Sequence, residues 1–168
     1  MSKIGNIPRK NNFLLKAIRG TLEHRAAWLY LLLKEAQKKG IAWEDIGPPA
    51  IRACGNLHGR ELVAAGGTDS LKGLKKTLFT LPARLVFEMT VRESGDGVLA
   101  IDFGHCPLVA AWQKLGCSDD EIGRLCDIAM EGDRGIAESY GGILELGETI
   151  AKGHDKCQIR FVKPLPER

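Results

Sequence analysis

The chain has 168 residues, of which 44% are hydrophobic and 27% are charged. This length suits one compact domain with a sizeable core and would leave two domains cramped. A formal net charge of +3 at pH 7 is too small to indicate nucleic acid or an anionic membrane as the main partner. We therefore expect a single domain over residues 1–168, with a flexible N-terminus at 1–12, a helical part at 13–81 and a sheet-containing part at 82–163.

The N-terminal residues and the apolar stretches predict a cytoplasmic protein. Lys3, Arg9 and Lys10 are not followed by the apolar core and cleavage site of a secretory signal. The densest apolar stretch, residues 26–33, is too short to span a bilayer. The five cysteines include no Cys-x-x-Cys pair, and in this compartment they are better interpreted as buried apolar residues, ligands or nucleophiles than as a disulfide framework.

The first half of the chain predicts three helices. Leucine and isoleucine residues at helical spacing run from Leu14 to Leu33 and predict a helix that begins near Asn12 and ends at Gly40. Pro48-Pro49 predicts the start of a second helix, because proline suits the first turn and not the interior, and Gly66-Gly67 ends it. In this helix Cys54 and His58 share one face; that spacing suits two metal ligands, but core and boundary positions fit the pattern better. A third helix is predicted over residues 69–79.

The second half predicts an antiparallel sheet. After Pro82, Leu85, Phe87, Met89 and Val91 alternate with other residues and predict a strand, on which Glu88 faces solvent. The turn residues 94–97 then lead into a returning strand over 98–103. Two further strands are predicted, one over 142–151 and one carrying Cys157, Ile159 and Phe161 on one face. The predicted fold class is α+β, with N-terminal helices followed by an antiparallel sheet of about four strands and an inserted helical segment.

The most informative short segment is Phe103-Gly104-His105-Cys106-Pro107, where a strand ends and a helix begins. Pro107 suits the first position of that helix, so Cys106 becomes its N-terminal cap. Free backbone N–H groups and the helix dipole favour a thiolate there, and we expect the pKa of Cys106 to fall. His105 is a candidate base beside this thiol, although successive side chains of an extended segment point to opposite faces. The alternative is a small buried cysteine beside an incidental histidine.

A second set of candidate residues lies on a helix that begins at Ser118. Ser118 and Glu121 have the spacing of a capping box. The apolar stripe of this helix includes Cys126, and the seven-residue spacing places Asp133 on the same side. Asp127 lies on an adjoining side, where it can pair with a base or face water. Each aspartate alone is typical of a structural role, whereas the pair near a reactive cysteine indicates acid–base chemistry.

The segment from about residue 88 to 161 resembles the L-2-amino-thiazoline-4-carboxylic acid hydrolase family. This segment covers nearly half of the chain, and the residues in it that carry the resemblance are His105-Cys106-Pro107, Trp112, Leu115-Gly116, Leu125-Cys126-Asp127, Gly132-Asp133, Thr149-Ile150-Ala151-Lys152-Gly153, Cys157 and Phe161. The segment is also distantly similar to vinyl-reductase-type small-molecule-binding domains, which share an α+β architecture. The resemblance implies a hydrolase that opens a cyclic isothiourea such as L-2-amino-thiazoline-4-carboxylate to N-carbamoyl-L-cysteine.

This resemblance also implies roles for particular residues. Cys106 is the candidate nucleophile, while His105 or an aspartate moves protons. Asp127 or Asp133 would hold the amidinium-like nitrogens of the substrate. Arg60 would bind the substrate carboxylate, and Trp112 is a second candidate for substrate binding.

Two alternatives stay open from the sequence. In the first, some of His105, Cys106, Cys126, Asp127 and Cys157 hold a divalent metal that activates water directly. In the second, the chain is a non-enzymatic domain that binds a small molecule or a metal. In either case Cys126 and Cys157 fit buried packing positions better than site positions.

Overall fold

A computed structural model describes residues 2–164 and contains six helices and four strands in that range. The helices are α1 (Phe13–Lys38), α2 (Trp43–Gly66), α3 (Leu71–Thr77), α4 (Leu81–Val86), α5 (Pro107–Lys114) and α6 (Asp119–Ser139). The strands are β1 (Met89–Ser94), β2 (Val98–Phe103), β3 (Ile143–Leu146) and β4 (Cys157–Val162), with a short 3₁₀ turn at Ile150–Lys152. This architecture confirms the predicted α+β class.

The four strands form one antiparallel sheet in the order β1-β2-β4-β3. In β4 the side chains of Cys157, Ile159 and Phe161 are buried and alternate with more exposed ones, as the sequence predicted. Phe103 at the end of β2 pairs with Cys157 at the start of β4. The sheet therefore places Cys157 close to the point where the chain leaves β2 for α5.

Helix α6 is the central element of the packing. Its buried side chains contribute to two apolar clusters, one shared with α1, α2 and α5, and one shared with α3 and the sheet. The capping box of Ser118 and Glu121 is present at its first turn, as predicted. Along α2, Gly55 packs directly on the backbone of Gly132, where a Cβ atom would lie 2.1 Å from the carbonyl oxygen. The two long helices can approach this closely because the contact has no side chains.

Helix α2 begins five residues before the predicted start. The two prolines lie inside it, after a first turn that begins at Trp43. Trp43 is almost fully buried, packs edge-on against Tyr30 and lies under the Arg124 guanidinium group at 4.6 Å. Burial of this large aromatic side chain stabilises the turn that precedes the prolines.

The predicted start of the first strand is wrong. Residues 81–86 form α4, in which Pro82 occupies the first turn and Val86 is buried, and β1 begins only at Met89. Glu88 separates the two elements with a φ of 52°, a left-handed conformation that interrupts regular structure. Its side chain is only 7% exposed, so the expected solvated carboxylate is in fact buried.

The third strand is also shorter than predicted, because β3 ends at Leu146. Beyond it the chain turns inward, and Ile150 and Ala151 are buried in the core next to α6. The backbone N–H of Ile150 donates to the Sγ atom of Cys157 at 3.3 Å. A strand continuing to residue 151 would alternate its side chains and could not bury these two neighbours together.

The N-terminal segment before α1 makes specific contacts with the rest of the chain. Ser2 and the backbone of Lys3 donate hydrogen bonds to Asp119, and Ile4 is buried. The division into one domain and the flexibility of residues 1–12 stay predictions. No helix within residues 2–164 has both the length and the apolar character needed to cross a membrane.

Candidate functional site

The site is built around the turn between β2 and α5. Cys106 is the N-terminal cap of α5 and Pro107 is its first residue, as predicted. The Asn6 side chain clamps the cap from the N-terminal segment: its Nδ2 atom donates to the Cys106 carbonyl at 2.8 Å, and its Oδ1 atom accepts from the Cys106 N–H at 2.9 Å. Two opposed hydrogen bonds fix the backbone of Cys106 more firmly than the turn alone would.

The pKa of Cys106 moves in the opposite direction to the one expected. Burial raises the pKa of this thiol above its ordinary value, although the N–H groups of Val109 and Leu108 oppose the rise. The negative charge of Asp133 raises it further. The cost of desolvating a thiolate exceeds the benefit of the helix N-terminus, so Cys106 is a thiol at neutral pH and needs a base to react.

Asp133 is the acidic group whose charge affects the pKa of this thiol. Burial raises the pKa of Asp133 from 3.8 to about 6, against the opposing effects of the Arg25 and Arg134 guanidinium groups. A carboxyl group with this pKa exchanges protons near neutral pH, which suits a general acid or base. The seven-residue spacing from Cys126 correctly placed Asp133 on the inner side of α6, whereas Arg25 on α1 was not identified from the sequence.

Two further cysteines surround the Cys106 thiol. Cys126 and Cys157 are 7% and 8% exposed and belong to the apolar cluster against which Cys106 packs. Burial raises the pKa of Cys157 to about 12 and raises that of Cys126, and the proximity of Cys106 contributes to both. Both thiols are therefore packed in protonated form, which agrees with the packing role favoured by the sequence.

His105 belongs to a different environment from Cys106. It is 2% exposed and lines a cavity of about 550 Å³ between the N-terminal segment, α1 and α5. Burial and the Arg19 guanidinium group lower its pKa, partly offset by Glu88. Asp133 instead affects the pKa of the Cys106 thiol, and Cys106 in turn raises the pKa of Cys126 and of Cys157. The alternation along this extended segment thus separates the imidazole from the thiol.

A buried ion pair behind His105 was missed by the sequence analysis. Arg19 and Glu88 lie 3.3 Å apart with side chains 5% and 7% exposed. The guanidinium group also donates to the carbonyls of Val86 and Lys10, and the Lys10 N–H donates to Glu88. One signal was available, because Arg19 follows the buried Leu15 by four residues and precedes the buried Ala26 by seven, on the inner stripe of α1.

The remaining candidates lie elsewhere. Asp127 is exposed and forms an ion pair with Lys152 at 3.0 Å. Trp112 is 1% exposed, and its indole N–H donates to the Ala26 carbonyl, so its only polar group is already used. Arg60 is exposed on α2, as are Cys54 and His58.

The donors considered for a metal do not converge. His105 faces the cavity, Cys106 faces the buried thiols, and Asp127 lies on the surface with Lys152. Within residues 2–164, no group of three or more His, Cys, Asp or Glu side chains has an arrangement that could hold a metal ion. These residues do not fit a metal site, and we derive no reaction step through one.

The model of one protein family, described as L-2-amino-thiazoline-4-carboxylic acid hydrolase, matches residues 19–161. The chain belongs to this family. The match includes Cys106, Asp133, Cys126 and Cys157, and it begins at Arg19, so the clamp residue Asn6 lies outside it. A comparison with curated proteins gives no match.

One solved structure shares the fold of this family member. It is a trafficking protein particle complex subunit 3 from Naegleria fowleri, covalently bound to palmitic acid. The two chains are 16% identical and superpose with a TM-score of 0.56, over 87% of this chain and 96% of the other. At this identity the similarity establishes a common architecture only.

Proposed function

We propose that the chain is a hydrolase that opens a small cyclic isothiourea, such as L-2-amino-thiazoline-4-carboxylate, to N-carbamoyl-L-cysteine. Membership of the hydrolase family supports the reaction class. The observation that carries the assignment is the partly buried Asp133 carboxyl, which has a pKa raised to about 6 and whose negative charge raises the pKa of the Cys106 thiol. A carboxyl group that titrates near neutral pH, close enough to a thiol to affect the thiol's pKa, is the kind of base that nucleophilic catalysis by cysteine requires.

In the first half of the reaction, Asp133 removes the proton from the Cys106 thiol. The thiolate attacks the ring carbon between nitrogen and sulfur, a C–S bond forms to Cys106, and the bond from that carbon to the ring sulfur breaks. Asp133 then gives its proton to the departing sulfur. Because the thiol is not ionised beforehand, the reaction depends on this base rather than on the helix N-terminus.

In the second half, water attacks the carbon bound to Cys106. Asp133 accepts a proton from the water and returns it to the departing Cys106 sulfur, which restores the starting enzyme. The product carries a carbamoyl group on nitrogen and a free thiol. The net change is the addition of one water molecule, and no oxidant or metal takes part.

Arg25 is a better candidate than Arg60 for binding the substrate carboxylate. Both side chains are exposed, but the Arg25 guanidinium group is close enough to lower the pKa of Asp133, and Arg60 is not among the charges that affect this carboxyl group. A cation at this position would hold the carboxylate end of the substrate while Asp133 and Cys106 act on the ring.

The partner that this function needs is a small molecule, and we propose the cytoplasm as the compartment. Free thiols at all five cysteines are typical of a reducing compartment. A second candidate function is non-enzymatic binding of a small molecule, which is favoured by the cavity beside His105.

The test is product formation from L-2-amino-thiazoline-4-carboxylate by metal-defined protein. We expect the native chain to release N-carbamoyl-L-cysteine and Cys106→Ser to lose at least about a hundredfold in rate. Cys54→Ser is the matched control, since Cys54 is exposed on α2, and it should retain full activity. Full activity in Cys106→Ser would overturn the nucleophile. An inactive but folded native protein would favour the binding function.

A further inference from the structure

Helix α1 presents an apolar face to the outside of the molecule. Five of its large apolar side chains are between 53% and 89% exposed: Phe13, Leu14, Trp28, Leu31 and Leu32. Other apolar residues of the same helix are buried in the core. Large apolar side chains thus lie on both sides of α1, whereas a surface helix of a monomer normally carries polar residues on its outer side.

The size of this apolar face matches that of a protein–protein interface. At roughly 200 Å² for a fully exposed aromatic side chain and about 120 Å² for a leucine, the exposed fractions of the five side chains amount to about 500 Å². A standard interface buries about 800 Å² on each partner, of which about 60%, or about 500 Å², is apolar. This one helix therefore exposes the apolar area that each subunit of a stable dimer buries.

The spacing of residues on this face indicates that the partner is a helix. Six exposed residues follow one another at alternating spacings of three and four, and we call them the α1 seam: Leu14, Ala17, Thr21, His24, Trp28 and Leu31. This spacing is typical of a helix that packs lengthwise against another helix. Phe13 and Leu32 lie next to the two ends of the seam and extend its apolar surface.

The order of residues along the α1 seam indicates a second copy of this chain. A twofold contact uses the same surface on both subunits, so that surface must be complementary to itself. If two α1 seams run antiparallel, with the twofold axis between residues 22 and 23, the six positions form three facing pairs. The pairs are Leu14 with Leu31, Ala17 with Trp28, and Thr21 with His24.

The members of each pair are complementary in size or chemistry. The bulky Trp28 faces the small Ala17, the leucines face each other at both ends, and the polar pair of Thr21 and His24 lies at the centre. The Trp28 indole N–H already donates to His24 Nε2 at 2.9 Å. A partner can therefore cover the indole ring without leaving its polar group unsatisfied.

We propose that the chain forms a symmetric dimer in which two α1 seams pack antiparallel across a twofold axis. Trp28 is the main anchor, since a tryptophan that enters a small-residue site is the kind of residue that dominates the binding energy of an interface. The dimer does not rest on the proposed reaction, because the α1 seam contains neither Cys106 nor Asp133.

Sedimentation equilibrium of the full chain measures its mass in solution. The native chain of 18.3 kDa should sediment at twice that mass, with a dimer Kd of about 10 μM or lower. Trp28→Glu should weaken the dimer at least about a hundredfold. Ile143→Glu is the matched control, because Ile143 is 61% exposed, as Trp28 is, but lies at the start of β3. This control should stay dimeric, and circular dichroism should show that both variants are folded.

An exchange of two facing residues tests the register of the α1 seam. Trp28→Ala leaves a gap opposite Ala17, and Ala17→Trp places two tryptophans against each other, so each variant should weaken the dimer about tenfold. The double variant Ala17→Trp/Trp28→Ala restores one large and one small residue in each pair and should recover the dimer to within about threefold of the native Kd.

Three results would overturn the proposal. The first is a native chain that is monomeric at about 100 μM, which would leave a different protein or a lipid surface as the occupant of this face. The second is a dimer that survives Trp28→Glu or is lost equally in Ile143→Glu. The third is a double variant that dimerises no more tightly than either single variant.

Discussion

Replacing Asp133 with asparagine should make the folded protein more stable at neutral pH. The rise of the Asp133 pKa from 3.8 to about 6 corresponds to about 3 kcal/mol of unfavourable free energy for the ionised carboxylate in the folded state. The residue is partly exposed, so solvent screening reduces the expected gain in the free energy of unfolding to about 1–2 kcal/mol. In the proposed mechanism, the Asp133 carboxyl must exchange protons near pH 7, and this requirement accounts for keeping an ionised group that destabilises the folded state.

The sign of the pH dependence follows from the two pKa values. Between about pH 3.8 and 6 the folded state binds more protons at Asp133 than the unfolded state does. The contribution of this residue to stability therefore falls as the pH rises through that window. The native chain and Asp133→Asn should be nearly equal in stability at about pH 4, and the variant should be more stable at about pH 8.

Urea unfolding followed by circular dichroism measures this difference at both pH values. Asp127→Asn is the matched control, because this exposed carboxylate lies on the same helix and forms an ion pair with Lys152. It should change the free energy of unfolding by less than about 1 kcal/mol at either pH. A variant at position 133 that is less stable than the native chain at pH 8, or that differs from it equally at both pH values, would refute the reasoning.

Four further substitutions test the packing and the contacts around the site. Gly55→Ala would place a Cβ atom 2.1 Å from a backbone oxygen of α6 and should cost about 3 kcal/mol in urea unfolding. Gly20→Ala in the open face of α1, with nothing within 4 Å of its Cβ position, should instead stabilise by about 0.5–1 kcal/mol. Glu88→Gln leaves a buried arginine without its counter-charge and should cost about 3 kcal/mol by the same measurement. Asn6→Ala removes both hydrogen bonds to Cys106, and hydrogen exchange of the Cys106 amide should speed up by about tenfold; unchanged exchange would show that the clamp does not hold the turn.

The parts of the fold that were predicted correctly depend on local chemistry. Ser118 and Glu121 stand three residues apart and satisfy each other's backbone groups, so the start of α6 could be identified without knowing what it packs against. The position of Cys106 before Pro107 defined a cap in the same way. Both signals involve only residues within a few positions of each other in the sequence.

The errors have their origin in contacts between distant segments. Glu88 is buried because Arg19, 69 residues away along the chain, needs a counter-charge, and no local pattern encodes this pairing. The early start of α2 depends on the burial of Trp43 beside Tyr30 and Arg124. In both cases tertiary packing outweighed the local preference.

The Cys106 pKa was predicted to fall and instead rises, again because of contacts between distant segments. The helix N-terminus was recognised from the sequence, and its N–H groups do lower the pKa of the thiol. Burial among the apolar side chains and the charge of Asp133 act in the opposite direction, and burial is the largest effect. The sign of the pKa shift depends on how deeply the folded core buries the thiol, which the local sequence does not encode.

Intact-mass analysis of the protein during a single turnover tests the central claim most directly. When native protein is mixed with L-2-amino-thiazoline-4-carboxylate and quenched in acid, we expect a transient species heavier by the mass of one substrate molecule. That species should be absent from Cys106→Ser, present in Cys54→Ser and slow to form in Asp133→Asn. Product released with no adduct at any time, or an adduct that persists in Cys106→Ser, would contradict the account.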